Sequence, residues 1–253
     1  MNLICILPFS YFFITRLRGG SFLFHLLFEW GAAFVLVLCV GSFSPLVSLS
    51  KLFFCYIAFI SIYELGYFFN DLYSAPRESD GRERWHSQVS RGWVFAWIAA
   101  RVLSFILMTL FLGFSAVLNW WLFYLTLIIV FLLHNLLVCR ELKVVTFSWL
   151  AFYRFIAPII FVVADSQRLG IALAVAMIYV PFRQFAYMDS KGLLSMPKRK
   201  SFQFRRFFYL LPLISVVALW PYSGVKGFVA LVVYWACIPA IATLLPRDLF
   251  SGH

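Results

Sequence analysis

The chain has 253 residues, of which 64% are hydrophobic, 21% aromatic and only 12% charged, and its formal net charge is +11. A soluble domain carries about 25% charged residues, so a water-soluble fold of this length could not bury so much apolar surface, and an integral membrane protein is expected. The apolar runs reach roughly twenty residues, the length of a spanning helix, and lack the alternation of a membrane β-barrel. The expected class is therefore all-α, a polytopic membrane helical bundle forming a single domain.

Along the chain, "LICILPFSYFFI" comes first. It is short, lacks a basic leader and is followed by Arg16 and Arg18, the wrong order for a secretory signal. Residues 1–20 are expected to form a short interfacial or packed helix. Eight spans are expected over 21–245, at 21–43, 50–70, 93–113, 117–138, 146–164, 169–188, 206–221 and 226–245.

Charge supports this layout. Of the 21 Lys and Arg residues, 15 fall on one side of the eight-span arrangement and three (Lys51, Arg168 and Lys226) on the other. Basic residues collect on the cytoplasmic side, so both termini are expected there. The same rule explains the net charge without a nucleic-acid partner. Five cysteines lie scattered with no CxxC pair, and the four histidines show no metal-ligand spacing.

Arg101, Arg154 and Arg183 fall inside spans 3, 5 and 6. An intramembrane charge normally faces a cavity or a partner. Arg101 and Arg183 lie close enough to span ends that reaching the interface is an equal alternative; Arg154 is deeper.

Half of the ten acidic residues lie within positions 64–83. Glu64, Asp71 and Glu78 are seven residues apart, a step that returns to nearly the same helix face with a drift of about 20°. Pro76 breaks the path before Glu78. Asn70 adds an amide oxygen beside Asp71. Two readings remain open: solvated ion pairs with Arg77, Arg82 and Arg84, or a hard-oxygen site suited to Mg²⁺ shared with substrate phosphates. After span 6, Asp189 stands with Arg183 six residues before it and Lys191 just after. The run Lys198, Arg199 and Lys200 reads as a lipid-facing or orientation-setting charge cluster.

With "FNDLYSAPRE" after span 2, "CRELKVVTF" after span 4 and "YMDSKG" after span 6, the chain resembles the UbiA superfamily of membrane-embedded prenyltransferases along residues 20 to 245. That family carries N-D-x-x-D-x-x-x-D after span 2, a basic loop after span 4 and D-x-x-x-D after span 6, in a bundle of about nine spans. Asn70 and Asp71 match the first motif's opening, Ser74 replaces its second aspartate, and Glu78 stands at its last. Asp189 matches the second motif, where Leu193 replaces the later aspartate. Lys143 matches the loop lysine, and Val144 stands where an arginine is usual.

The resemblance implies Mg²⁺ held by Asn70, Asp71, Glu78 and Asp189, with one ion easier to accommodate than two. It implies a diphosphate met by Lys143, Arg154, Arg183 and Lys191, with Asp71 and Asp189 needed for catalysis. The implied activity moves a prenyl group from a prenyl diphosphate to a lipid-soluble acceptor, in a bacterial inner membrane. Phosphoribosyl transfer to a polyprenyl phosphate, and a catalytically degenerate membrane subunit, lipid-binding protein or transporter, remain alternatives.

The charge asymmetry predicts that a cysteine at Ser201 reacts with an impermeant thiol reagent only from the cytoplasmic side. Labelling from outside would invert the layout.

Overall fold

A computed structural model of the chain describes residues 6–17, 22–77, 90–219, 222 and 224–242. Among them, a helix overlaps each of the eight expected stretches, though it covers only the first part of 146–164. A short helix α1 covers residues 10–17. Six helices are long and apolar enough to cross a membrane: α2 (Phe22–Val40), α3 (Pro45–Arg77), α4 (Arg91–Phe111), α5 (Leu118–Leu136), α7 (Asp165–Ser190) and α8 (Phe202–Leu219). The other two, α6 (Arg140–Ile156) and α9 (Lys226–Ala242), have 17 residues each. The protein is therefore a helical integral membrane protein.

The fifth span differs from its expected bounds. Pro158 has no N–H with which to continue the helical ladder, and α6 ends at Ile156. The helix instead begins at Arg140, so Lys143 sits in its first turn and not in a loop. Local sequence sets other starts too: Ser90 Oγ accepts the Trp93 N–H at the head of α4, and Ser201 Oγ accepts the Phe204 N–H at the head of α8. Such caps satisfy backbone donors that the first turn leaves open.

The chain divides into two compact units. The first comprises Met1–Gly19 and Phe53–Pro158, hence α1, most of α3, and α4 to α6. Its interior is aromatic. Tyr11 of α1 packs edge-on against Phe68 and Trp97, whose rings stack at 4.5 Å. Gly66 lets α3 approach α5: a Cβ there would stand 2.2 Å from the Phe131 ring, and Asn135 Nδ2 donates to the Gly66 carbonyl at 3.1 Å. Large apolar residues of α4 and α5 such as Leu103, Leu107, Leu110, Leu125 and Leu133 point outward, as a hydrocarbon surrounding requires.

The second unit comprises Gly20–Leu52 and Ile159–His253. Backbone bonds join the end of α2 and the turn before α7: Ser42 N–H to Val162 O at 2.9 Å and Ala164 N–H to Val40 O at 3.0 Å. Trp235 and Tyr234 of α9 donate to the Phe28 and Leu27 carbonyls of α2. Gly224 adopts φ +86°, a left-handed turn that glycine accepts without strain.

Four helical stretches, at 13–17, 25–31, 70–74 and 175–179, are wound as π-helix. Wide turns of this kind are rare, and those that occur are frequently at functional positions.

Candidate functional site

The polar residues of the first unit form a stripe on α3. Glu64, Tyr67, Asp71 and Ser74 are spaced by three, four and three residues, so they share one face over about 15 Å of helix. Each meets a cation from another element.

At the inner end, Glu64 and Arg101 are fully buried and paired at 2.6 Å through Oε2 and Nε. Glu64 Oε1 also accepts the Phe12 N–H at 2.7 Å. The Arg101 guanidinium lies 4.5 Å from the Trp97 ring centroid and donates to the Ile6 and Leu7 carbonyls. Arg101 therefore does not reach for the interface; it fastens α1 to α3 and α4. Glu64 is a structural partner in this junction.

Next along the stripe, the Tyr67 hydroxyl accepts from Arg154 at 2.9 Å, and the Arg16 guanidinium stacks 4.5 Å above the Tyr67 ring. Arg154 also lies over Phe12, whose ring is parallel to that of Tyr67. Asp71, 4% exposed, accepts from Arg16 at 2.8 Å through Oδ1 and from the Tyr11 hydroxyl at 2.6 Å through Oδ2. Asn70 Nδ2 donates to Asp71 Oδ1 at 3.3 Å. At the outer end the buried Lys143 ammonium donates to Ser74 Oγ at 3.1 Å.

The π turn over Asn70–Ser74 shapes this end. Ala75 N–H bonds the Asn70 carbonyl, five residues back. Asp71 and Ser74 are both buried by it, while Leu72 is exposed.

Of the residues expected to form a site, Asn70, Asp71, Lys143 and Arg154 are thus gathered in one unit. Glu78 lies outside the described residues. Asp189, Arg183 and Lys191 belong to the second unit. There Asp189 pairs with Arg199 at 2.9 Å and accepts the Met196 N–H at 3.4 Å. So Arg199, expected in a lipid-facing or orientation-setting run, holds a carboxylate. The Arg183 guanidinium lies 5.2 Å from the Phe24 ring centroid. Lys191 follows the last turn of α7, its N–H bonded to the Tyr187 carbonyl.

Tyr11, Phe12, Arg16 and Tyr67 escaped the sequence reading. Arg16 was visible only as a topology marker, and the 3-4-3 spacing of Glu64, Tyr67, Asp71 and Ser74 was the available signal.

Comparison of the chain with protein-family models, with curated proteins and with solved structures finds no match. The chemistry of the site therefore has to be read from its own residues.

Magnesium demands near-octahedral oxygen ligation through one or two carboxylates plus phosphate oxygens and water. Among the described residues no group of three or more His, Cys, Asp and Glu side chains could hold a metal ion. Asp71 already shares Oδ1 with a guanidinium, and Ser74 faces an ammonium. Among the described residues the outer part of the stripe offers a magnesium ion one carboxylate, Asp71, with both oxygens already engaged, beside three cationic side chains.

Breaking a buried ion pair from one side costs about 3–5 kcal/mol. Arg101→Met should therefore sharply lower the thermal midpoint in detergent, and adding Glu64→Leu should recover part of the loss. A single variant as stable as the wild type would contradict the assigned role of this pair.

Proposed function

We propose that the protein is a UbiA-like membrane transferase that moves a prenyl group from a prenyl diphosphate to a lipid-soluble acceptor. One observation carries this reading. The Asn70–Ser74 turn and Lys143, 69 residues away from Ser74 in sequence, meet in a buried position of one unit. They are the two segments that the resemblance requires to face one diphosphate.

The local chemistry supports it. Three cationic side chains, Arg16, Lys143 and Arg154, surround a stretch of α3 that carries one carboxylate, Asp71. Charge-assisted hydrogen bonds from such groups to phosphate oxygens are about twice as strong as neutral ones, and stronger still where water is excluded. Transfer breaks the bond between the allylic carbon and the diphosphate oxygen, and the electron pair departs with the diphosphate. The cation left behind is favoured by aromatic faces, which Phe12, Tyr63, Tyr67 and Phe131 present nearby. The acceptor then forms the new bond and loses a proton. In this reading Asp71 orients Arg16 and Tyr11; the role of Asp189, which pairs with Arg199 within the second unit, is the one the resemblance implies.

Incubated with Mg²⁺, a prenyl diphosphate and membrane lipid acceptors, the purified protein should release pyrophosphate. Asp71→Ala and Asp189→Ala should each slow release by about a hundredfold or more, the scale of losing a charge-stabilising group. Wild-type rates in both variants, across donors of several chain lengths, would contradict the proposal.

A further inference from the structure

We infer that the diphosphate is held by fixed cations of the protein, Arg16, Lys143 and Arg154, and that its binding does not need a divalent metal ion. This rests on the reading of the site as a diphosphate site, and it departs from the magnesium bridge that the resemblance implies.

The geometry behind it is the occupancy of the stripe. A metal bridging Asp71 to a phosphate would share Oδ1, the atom that Arg16 approaches to 2.8 Å. The remaining oxygen, Oδ2, is held by the Tyr11 hydroxyl at 2.6 Å. One turn on, where a second carboxylate would strengthen such a bridge, the chain has a hydroxyl, Ser74, facing the Lys143 ammonium at 3.1 Å. A divalent ion placed between them would sit among like charges in a buried setting, where repulsion is weakly screened.

The cations themselves are suited to replace it. Arg16 is fixed by the Asp71 pair and by stacking on Tyr67. Arg154 is fixed by the Tyr67 hydroxyl and by the Phe12 ring. Lys143 is fixed at Ser74 and is only 3% exposed. A guanidinium carries five N–H donors and an ammonium three, so each side chain is built to serve several oxygen acceptors at once. From Ser74 to Tyr67 the three cations line about 10 Å of α3 and offer charge to both phosphates of one headgroup. Substituting serine for an aspartate at position 74 and bringing a lysine to it exchanges a ligand for a metal with a ligand for the anion.

The test measures equilibrium binding of inorganic pyrophosphate and of a non-hydrolysable prenyl thiodiphosphate to the detergent-purified full chain. Each is measured in excess EDTA and again with Mg²⁺. The inference expects the dissociation constant to differ by less than about threefold between the two conditions. In EDTA, Lys143→Met should weaken binding by about tenfold or more, the equivalent of one charged hydrogen bond, and Lys143→Arg should retain most of it. Binding that appears only when Mg²⁺ is added overturns the inference and leaves the transferase reading standing. Failure of both probes to bind in either condition overturns the transferase reading as well. Because the wild-type comparison needs no variant, misfolding of Lys143→Met would not blur the result.

Discussion

Placing charge inside a membrane protein is costly unless each charge is met, and the first unit is organised around that requirement. Glu64 and Arg101 carry the deepest charges on the α3 stripe, both fully buried. Their pairing does more than neutralise them. Through the Phe12 N–H on one side and the Ile6 and Leu7 carbonyls on the other, it ties the N-terminal segment to α3 and α4. With α1 fastened there, Tyr11 and Arg16 are delivered to Asp71 and Phe12 to Tyr67. The outer part of the stripe is thus held by a structural ion pair two turns deeper.

The second unit meets a similar demand with different residues. His25 and Glu29 pair at 2.7 Å one turn apart on α2, and the Tyr179 hydroxyl of α7 donates to Glu29. His25 and Glu29 lie in one π-helical stretch and Tyr179 in another. In the first unit Arg16 and the Asn70–Ser74 turn lie in the other two. Three of these wide turns carry buried polar side chains: His25 and Glu29, Asp71 and Ser74, and Tyr179. A residue inserted into the helical ladder rotates the remaining turns of the helix, so neighbouring positions on an apolar helix can be turned inward where regular winding would leave them elsewhere.

Much of the architecture was legible in the sequence because apolar length and charge asymmetry act over whole segments. Spans such as 93–113 and 117–138 needed only hydropathy, and α4 and α5 fall within a few residues of them. The limits of α6 were less visible, because Arg140 to Lys143 read as a loop although they form its first turn. At the site, Asn70, Asp71, Lys143 and Arg154 stood out as charged or amide groups against an apolar background. The partners Tyr11, Phe12 and Tyr67 did not, since aromatic residues are abundant throughout the chain. The seven-residue step from Glu64 to Asp71 correctly placed both on one face, but their roles separated. One is a structural counter-ion for Arg101; the other holds Arg16 and Tyr11 at the outer end.

The central claim is that the outer half of this stripe, from Tyr67 to Ser74, receives a diphosphate headgroup. It is tested most directly by an experimental structure of the protein in lipid nanodiscs with a non-hydrolysable prenyl thiodiphosphate. The claim predicts phosphate oxygens within hydrogen-bonding distance of Lys143 Nζ and of the Arg16 or Arg154 guanidinium, with the prenyl chain running along Phe12 and Tyr67. A headgroup bound elsewhere, with the Lys143–Ser74 and Arg16–Asp71 contacts unaltered beside an empty stripe, would contradict it.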